Sequence, residues 1–403
     1  MTLDSRARPA AALEAPDLSR SGPLSLSTGS RRALSRVLIA FLMTRLILYV
    51  VAAIAIRLVP PQIGSGVQAY LGKNLSLAAW ARWDAGWYLS IAERGYWFNP
   101  DGPSSVAFFP LLPLLMKGLG TLIGNCAAAG LLIANLAALG AVLALWSWMR
   151  AEAGPAAAER AALWLLVYPF SFYFHSIYAE SLFFLLTTLA LSASARGQRL
   201  AAGTWAGLAA VTRPMGVLLA PALAWELWRD RRAGRHPRWQ DVVAVLLPVA
   251  GLGAYMAYLA LAFGDPLAFW KAHVVGWHVQ IQWTEAQYWR DTIRILFQPT
   301  RMRGYVDLLN MFRVLLPVVF VALTVQVFRR LGPVPGIYAS LAVAVAVCFA
   351  PESTGRELLG AVPAFAVLGL VGPRGMLGET IRLCSLGFLV VFLFAFVTGH
   401  FVG

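Results

Sequence analysis

The sequence predicts an all-α polytopic membrane protein, and two observations carry that prediction. Hydrophobic residues make up 59% of the 403 residues and charged residues only 13%, about half the charged share of an ordinary soluble domain. The apolar residues also come in blocks of about 18–25, the length at which an α-helix crosses the hydrocarbon core of a bilayer. Two such blocks are Val37–Val59 and Cys126–Met149.

The basic residues indicate how the chain is oriented. The formal net charge is +14, which in a soluble protein would suggest binding to nucleic acid. Here the arginines lie mainly in short connectors between apolar blocks, so the positive-inside rule explains them and no nucleic-acid partner is expected. Arg31, Arg32 and Arg36 lie just before or at the start of the first span, 33–59, and place the N-terminus in the cytoplasm. Residues 1–30 have no apolar periodicity and are expected to form a disordered cytoplasmic tail.

The rest of the chain, 31–403, is predicted to be a single transmembrane domain of about 10–12 helices. Two long interruptions, 60–105 and 264–304, are rich in tryptophan and are expected to be loops on the outer face. Residues 75–96 are predicted to form an amphipathic helix in the interface of the first loop. The segment 108–124 is either a short broken helix or a full span.

Residues 200–228 are long for one span and are interrupted by Thr212-Arg213-Pro214. They form either one tilted helix or two short helices that meet at Arg213.

Cysteine and histidine give no sign of a metal site. The three cysteines lie inside or beside apolar stretches without CxxC spacing, as is typical of small core residues. The five histidines show no HExxH or paired-ligand spacing. No metal ion and no cofactor are therefore expected.

Three ionisable positions stand out because charges at or inside a membrane boundary are costly and usually functional. The first is Asp84, between Trp83 and Trp87. A carboxylate with apolar neighbours can have a raised pKa and act as a general base. The alternative is an ordinary interfacial acid that is paired with Arg82 or Arg94.

The second position is Glu180, which begins an otherwise apolar span. It is either a functional carboxylate or an acid that favours the dipole at the start of a helix. His175 and Tyr178 lie just before it. They either line the same site or anchor the chain at the interface.

The third position is Arg213, inside an apolar stretch. Its guanidinium could clamp a phosphate through two hydrogen bonds, or it could form a salt bridge to Asp84 or Glu180. Arg356, followed by Glu357, offers a second cation on the same side, or is a residue of the span boundary. Carboxylates and arginines in an outward cavity suit a lipid-linked phosphate and a hydroxyl to be deprotonated. A transporter cavity would look similar, so the residues alone leave that choice open.

Two segments, one in the first loop and one just after it, carry a resemblance to a known family. Arg82–Tyr96, RWDAGWYLSIAERGY, and Ala107–Pro113, AFFPLLP, resemble the PIG-V family, which are mannosyltransferases of the GT-C superfamily that use polyprenyl-phosphate-linked sugars. Tyr178–Phe183 and Thr212–Gly216 are similar to two further family segments. The match in order and spacing runs over about 33–221.

The match is looser beyond that range. Arg356-Glu357-Leu358-Leu359 only approximates a family element, and Glu357 stands where an aromatic residue is common.

The resemblance implies a GT-C-like helix bundle and an inverting transfer of a sugar, by family name mannose, to a hydroxyl of a lipid or glycan acceptor. Asp84 would be the general base, and Arg213 and Arg356 would stabilise the departing lipid phosphate. Members of this kind need no metal. The expected location is the plasma membrane of a bacterium, among membrane lipids, with the active site on the outer face. The residues that the resemblance assigns to substrate binding are Trp83, Trp87, Tyr88, His175, Tyr178, Glu180, Arg213 and Arg356.

Two other function classes remain as alternatives. One is a polytopic transporter of lipids or solutes, which would more often show two matching halves with broken helices; no such repeat is found in the sequence. The other is a non-catalytic subunit of a glycosylation complex, for which the short loops leave little room to dock.

Overall fold

The computed structural model of the protein describes residues 27–59, 75–277, 293, 304–349 and 351–402. Within these ranges the regular elements are all helices, so the all-α prediction is confirmed. The predicted N-terminal tail lies almost wholly outside the described residues, as do parts of both predicted outer loops.

Sixteen α-helices are used below to locate residues, numbered in chain order. They are α1 (Thr28–Leu58), α2 (Leu75–Ala78), α3 (Ala85–Arg94), α4 (Leu111–Ile123), α5 (Cys126–Ala153), α6 (Pro155–Leu166), α7 (Glu180–Ala195), α8 (Arg199–Ala210), α9 (Leu219–Arg232), α10 (Trp239–Phe263), α11 (Ala268–Gly276), α12 (Tyr305–Leu331), α13 (Pro333–Phe349), α14 (Thr354–Glu357), α15 (Val362–Val371) and α16 (Gly375–Val397). Short 3-10 turns connect several of them.

Five of the described helices are long and apolar enough to cross a membrane, namely α1, α5, α10, α12 and α16. The segment of α14 and its 3-10 turn forms a pair with α15 that is bent by 82°, as in a broken span or a re-entrant loop. Shorter apolar helices are α4, α7 and α13. Leucines on several of these helices are exposed, among them Leu122, Leu136 and Leu261. Apolar surface of this extent suits a lipid surround, and the protein is an integral membrane protein.

Small residues bring the helices close together. A Cβ added at Gly203 of α8 would lie 2.4 Å from the Cα of Ala244 on α10, and one at Gly251 would lie 2.6 Å from the carbonyl oxygen of Gly207. Without a side chain at these positions, the two backbones touch, which is the usual way for helices to pack within a bilayer.

The first long loop differs from the prediction. Instead of one helix over 75–96, the chain forms α2, a turn, and then α3. Trp83 in the turn has φ of +52°, a left-handed conformation that is rare for a bulky residue. Asp84 therefore does not lie within a helix as predicted; it lies at the N-cap position of α3.

The two open questions on span structure have answers in the fold. Helix α4 has 13 residues, which is about 20 Å of helix against about 30 Å of hydrocarbon, so 108–124 fits the short segment. Residues 200–228 form two helices, α8 and α9, which are separated by a 3-10 turn at Pro214–Leu218.

Candidate active site

Two arginines of the site lie where helices break. Arg213 follows α8 in an extended conformation, with φ of −151° and ψ of 146°. Pro214 comes next and disfavours the helical region for the residue before it, so the sequence itself ends α8 there. Arg356 lies in α14, a single helical turn between two 3-10 turns. At each of these two helix breaks, an arginine side chain lies in an otherwise apolar environment.

Three carboxylates come from separate elements to meet these arginines. Asp84 lies at the N-cap position of α3, Glu180 is the first residue of α7, and Glu357 is the last residue of α14. Glu180 is 4% exposed and Glu357 is 8% exposed. Burial of this depth is costly for a charged group unless it is paired.

The five charged side chains form one network. Arg356 Nη1 lies 2.5 Å from Asp84 Oδ2, Arg356 Nε lies 3.5 Å from Glu180 Oε1, and Arg356 Nη2 lies 3.5 Å from Glu357 Oε1. Arg213 donates from Nη1 to Glu180 Oε1 at 3.0 Å and from Nη2 to Glu357 Oε1 at 2.5 Å. Each of the two glutamate oxygens thus contacts both guanidinium groups. We call these five residues the charged cluster; its formal charge is minus one.

Tyr178 fixes the turn that carries Asp84. Its hydroxyl donates to the carbonyl oxygen of Arg82 at 3.0 Å and accepts from the backbone N–H of Asp84 at 3.2 Å. The guanidinium carbon of Arg356 lies 5.6 Å from the centre of the Tyr178 ring and 5.5 Å from that of Tyr173, within the range of a cation–π contact. Tyr178 therefore holds both partners of the Asp84–Arg356 pair.

The aromatic residues beside Asp84 lie in two different environments. Trp83 is 44% exposed and meets the ring of Phe401 edge-on at 5.4 Å. Trp87 packs inward against Phe108 and Trp277, with ring centres 5.7 Å and 5.3 Å away. Of the two tryptophans, Trp83 is therefore the one with a free face.

Tyr88 is buried beside the charged cluster. Its ring lies edge-on to Phe108 at 5.2 Å. Burial, reinforced by the nearby carboxylate of Glu180, raises the pKa of Tyr88 well above its ordinary value. Its hydroxyl therefore stays neutral and can donate a hydrogen bond.

His175 lies in a separate polar group. Its Nδ1 hydrogen-bonds to Asn135 Oδ1, and its ring meets Trp80 edge-on at 4.3 Å. Burial, helped by the charge of Arg45, lowers the pKa of His175 to about 3, so the imidazole is neutral. The structure brings Asp84, Tyr88, Tyr178, Glu180, Arg213 and Arg356 together, whereas His175 supports the turn at Trp80, whose carbonyl oxygen accepts from the N–H of Ile177.

Two residues of the site were not assigned from the sequence. In the sequence, Glu357 stands out only as a departure from the family pattern. Its position next to Arg356 is the signal that could indicate a second buried charge in this segment. His273 of α11 interacts electrostatically with Glu357 and Asp84, and its Nδ1 donates to the carbonyl oxygen of Phe269 at 2.8 Å. Nothing in the spacing of the sequence pointed to His273.

In the part of the chain that the structure describes, no group of three or more His, Cys, Asp or Glu side chains could hold a metal ion.

Comparison with known proteins gives the family. Residues 30–229, about half of the chain, match the family model described as mannosyltransferase (PIG-V). Over these residues the chain belongs to the PIG-V family. The matched range of this PIG-V protein contains Asp84, Glu180 and Arg213, whereas Arg356 and Glu357 lie outside it.

Solved structures give the fold. The PIG-V chain is similar to ArnT from Cupriavidus metallidurans, solved bound to undecaprenyl phosphate, with a TM-score of 0.51 and 15% identity over 88% of this chain and 63% of ArnT. It is also similar to the oligosaccharyltransferase AglB from Archaeoglobus fulgidus, solved with an inhibitory peptide and a dolichol-phosphate, with a TM-score of 0.41 and 13% identity over 90% of this chain and 56% of AglB.

The PIG-V chain thus spans less than two thirds of the length of either protein. The match to ArnT shows that the fold is that of the GT-C membrane proteins. No curated protein matches the chain at a significant level.

Proposed function

We propose that the protein is a glycosyltransferase that moves a sugar, by family name mannose, from a polyprenyl-phosphate-linked donor to a hydroxyl of a lipid or glycan acceptor. One observation carries the proposal: the charged cluster joins a partly exposed carboxylate, Asp84, to two buried guanidinium groups, those of Arg213 and Arg356. Transfer of a phosphate-linked sugar needs both a base for the acceptor and cations for the leaving group.

The arginines would serve the donor phosphate. A guanidinium presents its N–H groups in a fixed fork that matches an oxyanion, and here two such forks are tied together by Glu180 Oε1 and Glu357 Oε1. Cations that are already in place when charge develops on the departing phosphate lower the barrier without further reorganisation. That ArnT was solved with undecaprenyl phosphate supports this class of ligand.

Asp84 would be the general base. Its Oδ2 is held by Arg356, while no hydrogen bond to Oδ1 is found among the described residues, and the side chain is 21% exposed. One oxygen thus fixes the orientation of the carboxylate and the other is open to an acceptor. Asp84 would be a positioned proton acceptor rather than a free surface acid.

In the proposed step the acceptor hydroxyl gives its proton to Asp84. The hydroxyl oxygen attacks the anomeric carbon from the side opposite the phosphate, so that the configuration inverts. The bond between that carbon and the phosphate oxygen breaks, and its electron pair stays on the phosphate, held by Arg213 and Arg356. The products are the glycosylated acceptor and polyprenyl phosphate, and the proton on Asp84 is lost to water afterwards.

The aromatic residues would hold the sugar. The free face of Trp83 suits stacking on a sugar ring, and the hydroxyl of Tyr88 can donate to a sugar or phosphate oxygen. Trp87 would anchor α3 through its aromatic neighbours. His175 would act at a distance, through the turn at Trp80.

The site would face the outside of a bacterial plasma membrane, with the N-terminus in the cytoplasm. Arg199 begins α8 and contacts Asp230 at 2.9 Å and Asp241 at 3.6 Å, in a region that also holds the five arginines of 229–238. Basic connectors of this kind stay in the cytoplasm. Arg213 lies beyond the other end of α8, which supports the opposite side for the charged cluster.

The test is sugar transfer by the purified protein. Synthetic polyprenyl-phosphate-mannose is the donor, a membrane lipid extract supplies the acceptor, and wild type is compared with Asp84→Asn. The matched control is Asp101→Asn, which removes an exposed acid of the same segment. We expect transfer, or slow donor hydrolysis, by wild type and by the control, and none by Asp84→Asn.

Equal activity in wild type and Asp84→Asn would remove Asp84 from the mechanism. No activity in any of the folded proteins, with donors and acceptor extracts varied, would contradict the enzyme proposal and favour a transporter or a subunit.

A further inference from the structure

Glu357 holds the position on Arg213 that a donor phosphate would need. Arg213 donates from Nη1 to Glu180 and from Nη2 to Glu357, and Arg356 contacts both glutamates and Asp84. We infer that Glu357 is a resident anion which the donor phosphate must replace, so that donor binding and product release are exchanges of one oxyanion for another at Arg213. This inference rests on the proposed function and assigns a role to a residue that the family pattern does not supply.

The first argument is that carboxylates already engage the terminal nitrogens of Arg213. Both terminal nitrogens of Arg213 point to carboxylate oxygens, at 3.0 Å and 2.5 Å. Bidentate binding of a phosphate uses two parallel N–H groups of one guanidinium. A phosphate that binds end-on to both terminal nitrogens therefore competes with Glu180 and Glu357 for them.

The second argument is charge. The charged cluster has three carboxylates and two guanidinium groups, and a phosphodiester donor brings one more negative charge. With all three carboxylates in place, the buried site would carry two uncompensated charges, and burial of unpaired charge is strongly unfavourable. If one carboxylate leaves as the phosphate enters, the charge of the cluster is unchanged.

The third argument identifies which carboxylate leaves. Asp84 is required as the base, and Glu180 is fixed in the first turn of α7 at 4% exposure. Glu357 ends a single helical turn that lies between two 3-10 turns, and the segment 354–360 meets α15 at a bend of 82°. Short 3-10 segments are weakly held and often act as hinges. Of the three, we therefore assign Glu357, which lies between two such turns, as the carboxylate that leaves.

Charged and titratable groups from several elements act on Glu357. The charged and titratable groups that act on the cluster at this point are Arg213, Arg356, Glu180, Asp84, Tyr88, Tyr173 and His273. His273 interacts electrostatically with Glu357, and its hydrogen bond to Phe269 uses Nδ1. When Nε2 takes up a proton from water, the resulting imidazolium can attract the carboxylate once Arg213 has been released.

The same exchange would assist product release. After transfer, the leaving polyprenyl phosphate is a monoester that can carry two charges and would be held firmly by two arginines. The return of Glu357 to Arg213 competes with this phosphate. A site without the Glu357 charge would bind the donor well but release the product slowly.

The experiment measures binding of a short-chain polyprenyl phosphate methyl diester. This probe has one negative charge that does not titrate near neutral pH, so only the protein can change the charge balance. Binding to the purified full chain in detergent is followed by calorimetry for wild type, Glu357→Gln and Glu379→Gln. Glu379 is an exposed acid on α16, and its variant is the matched control.

We expect Glu357→Gln to bind the probe about tenfold more tightly than wild type, because a neutral amide holds Arg213 less strongly than a carboxylate does. Glu379→Gln should bind as wild type does. If Glu357 had only a structural role, removing its charge would weaken binding of the probe. The direction of the change in affinity therefore distinguishes the exchange role from a structural role. Equal or weaker binding by Glu357→Gln, with an unchanged melting temperature, would overturn the inference.

If Glu357→Gln does not fold, Glu357→Asp keeps the charge but draws it back from Arg213 by one methylene group. We expect Glu357→Asp to bind the probe more tightly than wild type, by a smaller factor than is expected for Glu357→Gln. Unchanged or weaker binding of the probe would again contradict the exchange. Failure of the proposed function looks different: wild type itself would then not bind the probe.

Discussion

Arg356 holds Asp84 through a 2.5 Å contact between Nη1 and Oδ2, although 272 positions separate the two residues in the chain. Asp84 belongs to the range that matches the PIG-V family, and Arg356 lies beyond it. The contact therefore completes the site with a residue from the part of the chain where the family resemblance is loose. Arg356 both orients the proposed base and supplies charge to the proposed phosphate site.

Arg356→Lys is expected to lower transfer activity about 100-fold. A lysine keeps the charge but has a single ammonium point in place of the planar fork, so it cannot hold Asp84 and the glutamates together. Activity and melting temperature of the purified variant check this. Arg235→Lys, at an exposed arginine, is the control and should behave as wild type; similar activity in both variants would show that the fork of Arg356 is not used.

Tyr178→Phe is expected to lower kcat about tenfold and to cost about 1 kcal/mol of stability. The variant removes the hydroxyl that donates to the Arg82 carbonyl and accepts from the Asp84 N–H, so the turn that carries Asp84 loosens. Tyr255→Phe removes a similar buried hydrogen bond, to the Val106 carbonyl at 2.8 Å. It should cost similar stability and leave kcat unchanged. An equal loss of kcat in both variants would indicate general loosening of the fold.

The residues that the sequence identified are those whose chemistry conflicts with their surroundings. Glu180 and Arg213 each interrupt an apolar run, and because an unpaired charge in such a run is costly, their importance can be read from the sequence. The helix break at Arg213 can also be predicted from the sequence, because Pro214 disfavours a helical conformation for the residue before it. Of the two alternatives for Arg213, the structure shows the salt bridge, which is to Glu180, and the phosphate clamp stays a proposal.

The parts that the sequence did not reveal depend on distant contacts or on backbone strain. Glu357 meets Arg213 across 144 positions, and no local pattern encodes that distance. The segment 79–84 has no glycine or proline, so the break at Trp83 left no turn signal. His175 lies close to Tyr178 in the chain, but the 3-10 turn Ser171–His175 directs its ring to Asn135 instead.

His175 should make the protein less stable in mild acid. Burial lowers its pKa from about 6.5 to about 3, so between these values the unfolded chain binds a proton that the folded protein does not, and stability falls as pH falls. Between pH 6.5 and pH 5 the loss is about 2 kcal/mol. Melting temperatures of wild type and His175→Gln over this range check this, because the variant lacks the titrating group. Parallel curves for the two proteins would contradict it.

Trp83→Gly is expected to separate stability from substrate binding. The left-handed φ of +52° costs a bulky residue about 1 kcal/mol that glycine does not incur. The gain is offset in part by loss of the contact with Phe401 and by the greater freedom of glycine in the unfolded chain, so the melting temperature should stay the same or rise slightly. KM for the sugar donor should rise about tenfold, since a stacking face for the sugar is lost. Strain that is kept at an exposed residue beside the proposed base is typical of a functional position. A lower melting temperature together with an unchanged KM would show that Trp83 serves only the packing of the turn.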